Sequence, residues 1–152
     1  MKKPPGLNAP HARAIMRWMS RAQAWIYRRS GGRIGATFLR GAPVMLLTTV
    51  GRKSGLERTT PLLYLRDRDR VVCVASQAGR DDHPLWYLNL QANPAARVQI
   101  GQVTEELVAR EASDDERRDL WPRLVQMYPD FDSYQSWTER RIPVMILEPA
   151  TA

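Results

Sequence analysis

The chain has 152 residues, a formal net charge of +7, 43% hydrophobic residues and one cysteine, which suits a single domain with a buried core. The lone Cys73 excludes an internal disulfide and any multi-cysteine metal site and fits a cytosolic protein, and two histidines are too few for a histidine-rich metal centre. Eleven Lys or Arg residues precede Glu57, the first acid, after which twelve bases face sixteen acids, so an anionic partner is drawn to the N-terminal third.

Residues 1–10, with Pro4, Pro5, Gly6 and Pro10, read as a mobile basic arm. From His11 to about Ser30 the pattern is helical. Ile15, Trp18, Met19, Ala22, Trp25 and Ile26 share one face while Arg13, Arg17, Arg21 and Arg28 occupy another. Two uses of such a helix stand level: it lies in a membrane interface, or it packs its Trp/Met stripe on the body of the protein and leaves its arginines solvated. Gly31, Gly32 and Gly35 make a flexible connection. No stretch has the pattern of a signal peptide or the length of a membrane span, so membrane contact would be peripheral.

Three short apolar runs follow, Val44 to Val50, Thr59 to Leu65 and Val71 to Ala75, separated by turn-formers as consecutive antiparallel strands are. Cys73, inside the third, reads as a small buried hydrophobe. Gln77 to His83 is a loop, and Pro84 opens a helical turn over Trp86 to Leu90, closed by Asn93-Pro94. Strands are expected at Arg97 to Ile100 and Val103 to Ala109, joined at Gly101-Gln102. Ser113 and Glu116 form a capping box for a helix to about Tyr128. Pro129 ends it. Phe131, Tyr134 and Trp137 cluster on a loop or short helix, and Ile142 to Leu147 supplies the last strand. Antiparallel strands with segregated helices indicate an α+β, mainly β domain: a small barrel of about six mostly antiparallel strands with an N-terminal amphipathic helix and peripheral helices.

One polar turn interrupts this apolar framework. Gly51-Arg52-Lys53-Ser54-Gly55, followed by Arg58, gathers positive charge, a hydroxyl and free backbone N–H groups, and can hold an anion such as a phosphate. It is neither a P-loop nor a dinucleotide fingerprint, because it leads into a strand and not a helix. A solvated hairpin turn is the plain alternative. A Ser/His/Asp triad would have to use His83, which beside Pro84 reads as a loop or cap residue. Asp81-Asp82 and Asp114-Asp115 read as loop and helix-start acids. A bound cofactor can supply redox chemistry without a strongly reactive side chain.

Several ordered motifs carry a family resemblance. Leu46-Leu47-Thr48-Thr49-Val50-Gly51-Arg52-Lys53-Ser54-Gly55, then Arg58, Pro61-Leu62, Ala75-Ser76, His83-Pro84-Leu85-Trp86-Tyr87-Leu88-Asn89-Leu90 and Asn93-Pro94 resemble the deazaflavin-dependent nitroreductases of actinobacteria, the F420H2-dependent quinone reductases. Trp18-Met19-Ser20-Arg21, Trp25 to Arg29, Met127-Tyr128-Pro129 and Tyr134-Gln135-Ser136-Trp137-Thr138 extend the likeness to the nitroimidazole-reducing branch.

The resemblance implies a split β-barrel, residues 33–152, behind a basic arm and helix, residues 1–32. It also implies an oxidoreductase that takes hydride from reduced coenzyme F420 and passes it to a menaquinone-like quinone or to nitroimidazole compounds. By motif position Arg52, Lys53, Ser54 and Arg58 would hold the coenzyme's phosphate and acidic glutamyl tail. Thr59, Thr60, Pro61, Leu62 and Leu63, with Val74, Ala75, Ser76 and Gln77 and with Leu85, Trp86, Tyr87, Leu88 and Asn89, would frame its ring system, largely through backbone contacts. Ser76, Tyr128 and Tyr134 would orient the acceptor, and Phe131 would complete the aromatic wall. Phe131 and Leu63 depart from the nitroimidazole-reducing branch, where a tyrosine and an aromatic are common. The competing classes are an FMN- or heme-binding split barrel and a non-enzymatic basic module for membrane or nucleic acid. The apolar stripe of the first helix argues against a phosphate track along nucleic acid. A cytoplasmic protein, peripheral on the inner face of the cell membrane, is the expected location.

Overall fold

A computed structural model describes residues 1–36 and 41–150. Helix α1 spans Pro10–Arg29. Strands β1 (Val44–Val50) and β2 (Glu57–Leu63) follow, then β3 (Leu65–Asp67) and β4 (Arg70–Val74). A 3-10 turn at Gln77–Gly79 leads to α2 (Leu85–Ala92), and β5 (Ala95–Ile100) pairs with β6 (Val103–Glu111). Helices α3 (Asp114–Met127) and α4 (Asp130–Ser136) precede β7 (Val144–Glu148).

All seven strands belong to one antiparallel sheet in the order β2-β1-β5-β6-β7-β4-β3. Its two edges, β2 and β3, are separated in the chain by Tyr64 alone. A sheet whose opposite edges are the halves of one bent strand has to roll round on itself, so it forms a barrel split along one seam without closing. The extra strand arises here: the run expected as one strand from Thr59 to Leu65 breaks at Tyr64, whose N–H donates to Pro43 O at 3.2 Å. Its short continuation forms a hairpin with β4 across Arg68-Asp69, with Arg68 at φ 60°.

Strand alternation divides the core. Met45, Leu47, Val71, Cys73, Val98, Leu107, Met145 and Leu147 point into the barrel, and Trp86, Tyr87 and Leu90 of α2 plug it. Val72, Val74, Val144 and Ile146 point the other way, against Leu120 and Leu124 of α3 and Phe131 of α4. With both faces buried, β4 reads as a continuous apolar run. Cys73 is buried, and burial pushes its thiol pKa up. The capping box at Ser113 and Glu116 forms as expected.

Two N-terminal expectations change. The arm is not loose: Arg80, itself buried, donates to the carbonyls of Leu7, Ala9 and Asn8, and Asn8 accepts from the Asp81 N–H at 3.0 Å. Helix α1 does not pack its Trp/Met stripe on the barrel. Ala24 and Tyr27 are its buried residues, packed near Val44 and Leu46, while Ile15, Met19, Trp18 (74% exposed) and Trp25 (65%) face outward. The residues that meet the protein are Ala24 and the large ring of Tyr27.

Candidate active site

The β1–β2 turn is built by backbone geometry. The Gly51 N–H donates to Leu56 O and the Gly55 N–H to Gly51 O, each at 2.8 Å. Residue 51 must lack a side chain, since a Cβ there would sit 2.7 Å from Ser54 Oγ and 3.1 Å from Leu56 O. Ser54 Oγ accepts from the Leu56 N–H at 3.2 Å. Asn89, buried on α2, braces the turn: its Oδ1 accepts from the Arg52 N–H at 3.1 Å and its Nδ2 donates to Thr49 Oγ1 at 3.1 Å. The side chains of Arg52, Lys53 and Arg58 are thus presented to solvent on a rigid base.

Past β4 the chain tightens. Gln77, Ala78 and Gly79 have φ of 46°, 54° and 78°. Only glycine fits at 79, where a Cβ would lie 2.8 Å from Trp137 Cε3 and 3.0 Å from Tyr134 Cα. This close approach seats Ser76 beside α4. Arg140, which the sequence reading missed, fixes the segment from beneath: its guanidinium donates to Ser76 O at 2.8 Å, Arg80 O at 2.9 Å and Ala75 O at 3.1 Å, and to His83 Nδ1 at 3.2 Å. Burial, then the Arg140 charge, lowers the His83 pKa, so the neutral imidazole accepts. No local sequence pattern marks Arg140, because its four partners lie 57 to 65 residues away.

The aromatic cluster assembles on α4. Tyr128 and Tyr134 share a hydrogen bond between hydroxyls at 3.2 Å, and Phe131 packs edge-on against Tyr128 with centroids 5.1 Å apart. Burial raises the pKa of both tyrosines. Both hydroxyls therefore remain protonated at neutral pH, one of the two protons lying in the bond between them. The Ser76 hydroxyl makes no hydrogen bond among the described residues.

One cleft of about 1270 Å³ joins these parts. Arg52, Lys53, Ser54, Arg58 and the run Thr59, Thr60, Pro61, Leu62 and Leu63 line it, together with Val74, Ser76, Gln77, Leu85, Trp86, Asn89, Tyr128, Phe131 and Tyr134. Three expected residues do not line it. Ala75 is fully buried, its N–H donating to Pro143 O and its carbonyl taken by Arg140; Tyr87 turns into the barrel and bonds Glu111; Leu88 packs on the interior cluster. Helix α1, absent from the expected site, contributes both cations, among them Arg17, Arg21 and Arg28, and the apolar Met16, Trp25 and Ile26 to the lining.

A split barrel whose one large cleft is lined by a cationic turn and by buried hydroxyl groups has the make-up of a cofactor-dependent enzyme. Residues 18–149 match the model of the F420H(2)-dependent quinone reductase family, and the chain belongs to that family. It is 51% identical over 117 residues to Rv3178 of Mycobacterium tuberculosis, which carries the F420H(2)-dependent quinone reductase designation, covering 77% of this chain and 98% of that one. It is 38% identical over 125 residues to the F420H(2)-dependent quinone reductase Rv1261c of the same organism, covering 80% and 84%. A solved F420-H2 dependent reductase (FDR-A) superposes with a TM-score of 0.65 at 41% identity, over 70% of this chain and 94% of that one. The protein is accordingly an oxidoreductase that depends on coenzyme F420. The donor set fits that group: unpaired cations at a turn too crowded for a Cβ suit a phosphorylated, acidic coenzyme.

Proposed function

We propose that the chain passes hydride from reduced F420 to a menaquinone-like quinone bound against Ser76, Tyr128 and Tyr134. The observation that carries this reading is that one cleft is lined by both the cationic turn and the hydroxyl-bearing aromatic wall. When bound, the deazaflavin supplies the hydride. Arg52, Lys53, Ser54 and Arg58 hold the coenzyme's anionic end, and the run from Thr59 to Leu63, with Val74, Gln77, Leu85 and Trp86, frames its rings. Positioning of donor against acceptor accounts for much of the acceleration in such a step. Ser76 and Tyr128 donate hydrogen bonds to an acceptor oxygen as it gains negative charge, with Tyr134 orienting Tyr128. Nitroimidazoles are secondary acceptors in this reading, because Phe131 keeps the wall without adding a hydroxyl.

The outward stripe of Ile15, Trp18, Met19 and Trp25 on a helix rich in arginine supports peripheral attachment to an anionic membrane, which would give a lipid-soluble quinone a short route to the cleft. Residues 1–32 then act as a membrane-facing unit and residues 33–152 as the coenzyme-binding barrel. No helix of the described residues is long and apolar enough to cross a membrane. The decisive experiment is oxidation of reduced F420 by a menaquinone analogue, with reduced FMN and NADPH as parallel donors. Turnover with F420 alone is expected; turnover with FMN or NADPH but not F420, or F420 oxidation without quinone reduction, overturns the proposal.

A further inference from the structure

The cleft holds more positive charge than the β1–β2 turn explains. Arg17 and Arg21, on the α1 side, line it together with Arg52, Lys53 and Arg58, and none of these five side chains makes an ion pair or hydrogen bond among the described residues. Neighbouring cations are already engaged: Arg13 pairs with Asp82, and Arg28 donates to Thr59 Oγ1 at 3.1 Å. The one acid among the described lining residues, Glu57, is held by Arg97 at 2.6 Å. Bringing unpaired like charges into one concave site is unfavourable unless an anion fills it. Helix α1 brings these arginines to the cleft beside Met16, Trp25 and Ile26, while Ile15, Trp18 and Met19 stay exposed away from it.

We propose that Arg17 and Arg21 form a second anion-binding wall that receives the carboxylates of the coenzyme's glutamyl tail while the β1–β2 turn holds its phosphate. The inference rests on the F420 reading and deepens it. Guanidinium groups suit the role because each can grip a carboxylate through two parallel N–H donors, and every added glutamyl unit brings another carboxylate. The tail then bridges α1 to the barrel, adding to the contacts that Tyr27 and Arg28 already make.

Fluorescence titration separates the parts, using F420 and the same deazaflavin core lacking phosphate and tail. Both arginines are exposed and unpaired, so Arg17→Gln with Arg21→Gln leaves the fold intact. Two lost surface ion pairs are expected to weaken F420 binding about five-fold or more, with affinity for the core unchanged. Arg29→Gln removes the same charge from the same helix outside the cleft and is expected to leave F420 affinity unaltered. Unchanged F420 affinity in the double variant overturns the proposal, as does an equal loss in the Arg29 variant, which would indicate only a general field. Loss of binding to phosphatidylglycerol vesicles with F420 affinity retained also overturns it, assigning the arginines to lipid. If the unmodified chain binds the core but gains nothing from the tail, this inference alone fails. If it binds neither, the F420 reading fails with it.

Discussion

Ser76 shows how a short polar side chain acquires a role from its surroundings. Its carbonyl is clamped by Arg140 at 2.8 Å, the backbone beyond it is left-handed, and its hydroxyl is unspent among the described residues. Removing that hydroxyl deletes a donor without loosening the segment. Ser76→Ala is therefore expected to lower kcat about 10- to 100-fold while the dissociation constant for F420 stays near its original value; equal losses in both would place Ser76 in coenzyme binding. Glu116 is the corresponding residue for stability. Its carboxylate accepts from Arg110 at 2.7 and 2.8 Å and from the Ser113 N–H at 3.0 Å, and the Arg110 guanidinium, with the cap, holds its pKa well below the usual carboxylate range. A carboxyl with a depressed folded pKa contributes stability above its unfolded value of about 4.3 and loses it as the pH falls below that point. Glu116→Ala is expected to cost about 1–2 kcal/mol at pH 7. The gap from the unmodified chain should narrow on going to pH 3, as read by urea unfolding at the two pH values.

Among the elements, α2 ties the barrel to the turn. Asn89 satisfies the Arg52 N–H and the buried Thr49 hydroxyl from a single side chain. In Asn89→Ala both partners lose their hydrogen bonds, at a cost of about 1–3 kcal/mol, and the cations of the turn lose their fixed base. Thermal unfolding and F420 titration should both register the change, with affinity for the tail-less core much less affected. Helix α1 has the opposite design, with its apolar side unpartnered. Ile15→Ser with Trp18→Ser alters only that outward side, since neither residue lines the cleft. Association with phosphatidylglycerol vesicles should fall several-fold in a co-sedimentation assay while reduction of a water-soluble quinone continues at its original rate. Undiminished association would remove the membrane role of the helix.

The whole molecule links these elements through its split seam. Because β2 and β3 are one bent strand at opposite edges of the sheet, the turn before β2 and the Ser76 segment after β4 face a common cleft although they are remote along the sheet. A ligand that spans the cleft stabilises only the folded arrangement. At about 100 times its dissociation constant F420 should add about 2.7 kcal/mol, seen as a rise in Tm, whereas the tail-less core at the same concentration should give a smaller rise. Equal shifts would mean that the anionic end makes no use of the cationic side.

Much of this was legible in the sequence for a local reason. Strand alternation, the Ser113/Glu116 capping box and the Gly51 to Gly55 turn depend on neighbouring residues, so β1, β4, α3 and the cationic turn could be read from spacing. The motifs shared with the F420H2-dependent quinone reductases likewise run along the chain and identified the family. What spacing does not carry is the direction in which an element faces. An amphipathic helix has two sides, and its period is the same whichever side meets the protein. Only packing against β2 and the barrel decided that α1 brings Arg17, Arg21 and Trp25 to the cleft and leaves Ile15, Trp18 and Met19 outward. The same holds for Arg140, whose partners are brought together by the fold, and for Tyr87, which the helical turn of α2 carries into the barrel instead of the site. The sequence by itself determined most of the elements, the class and the cofactor; the tertiary structure decided where the strand breaks at Tyr64 and which faces meet, because long-range contacts leave no periodic trace in the chain.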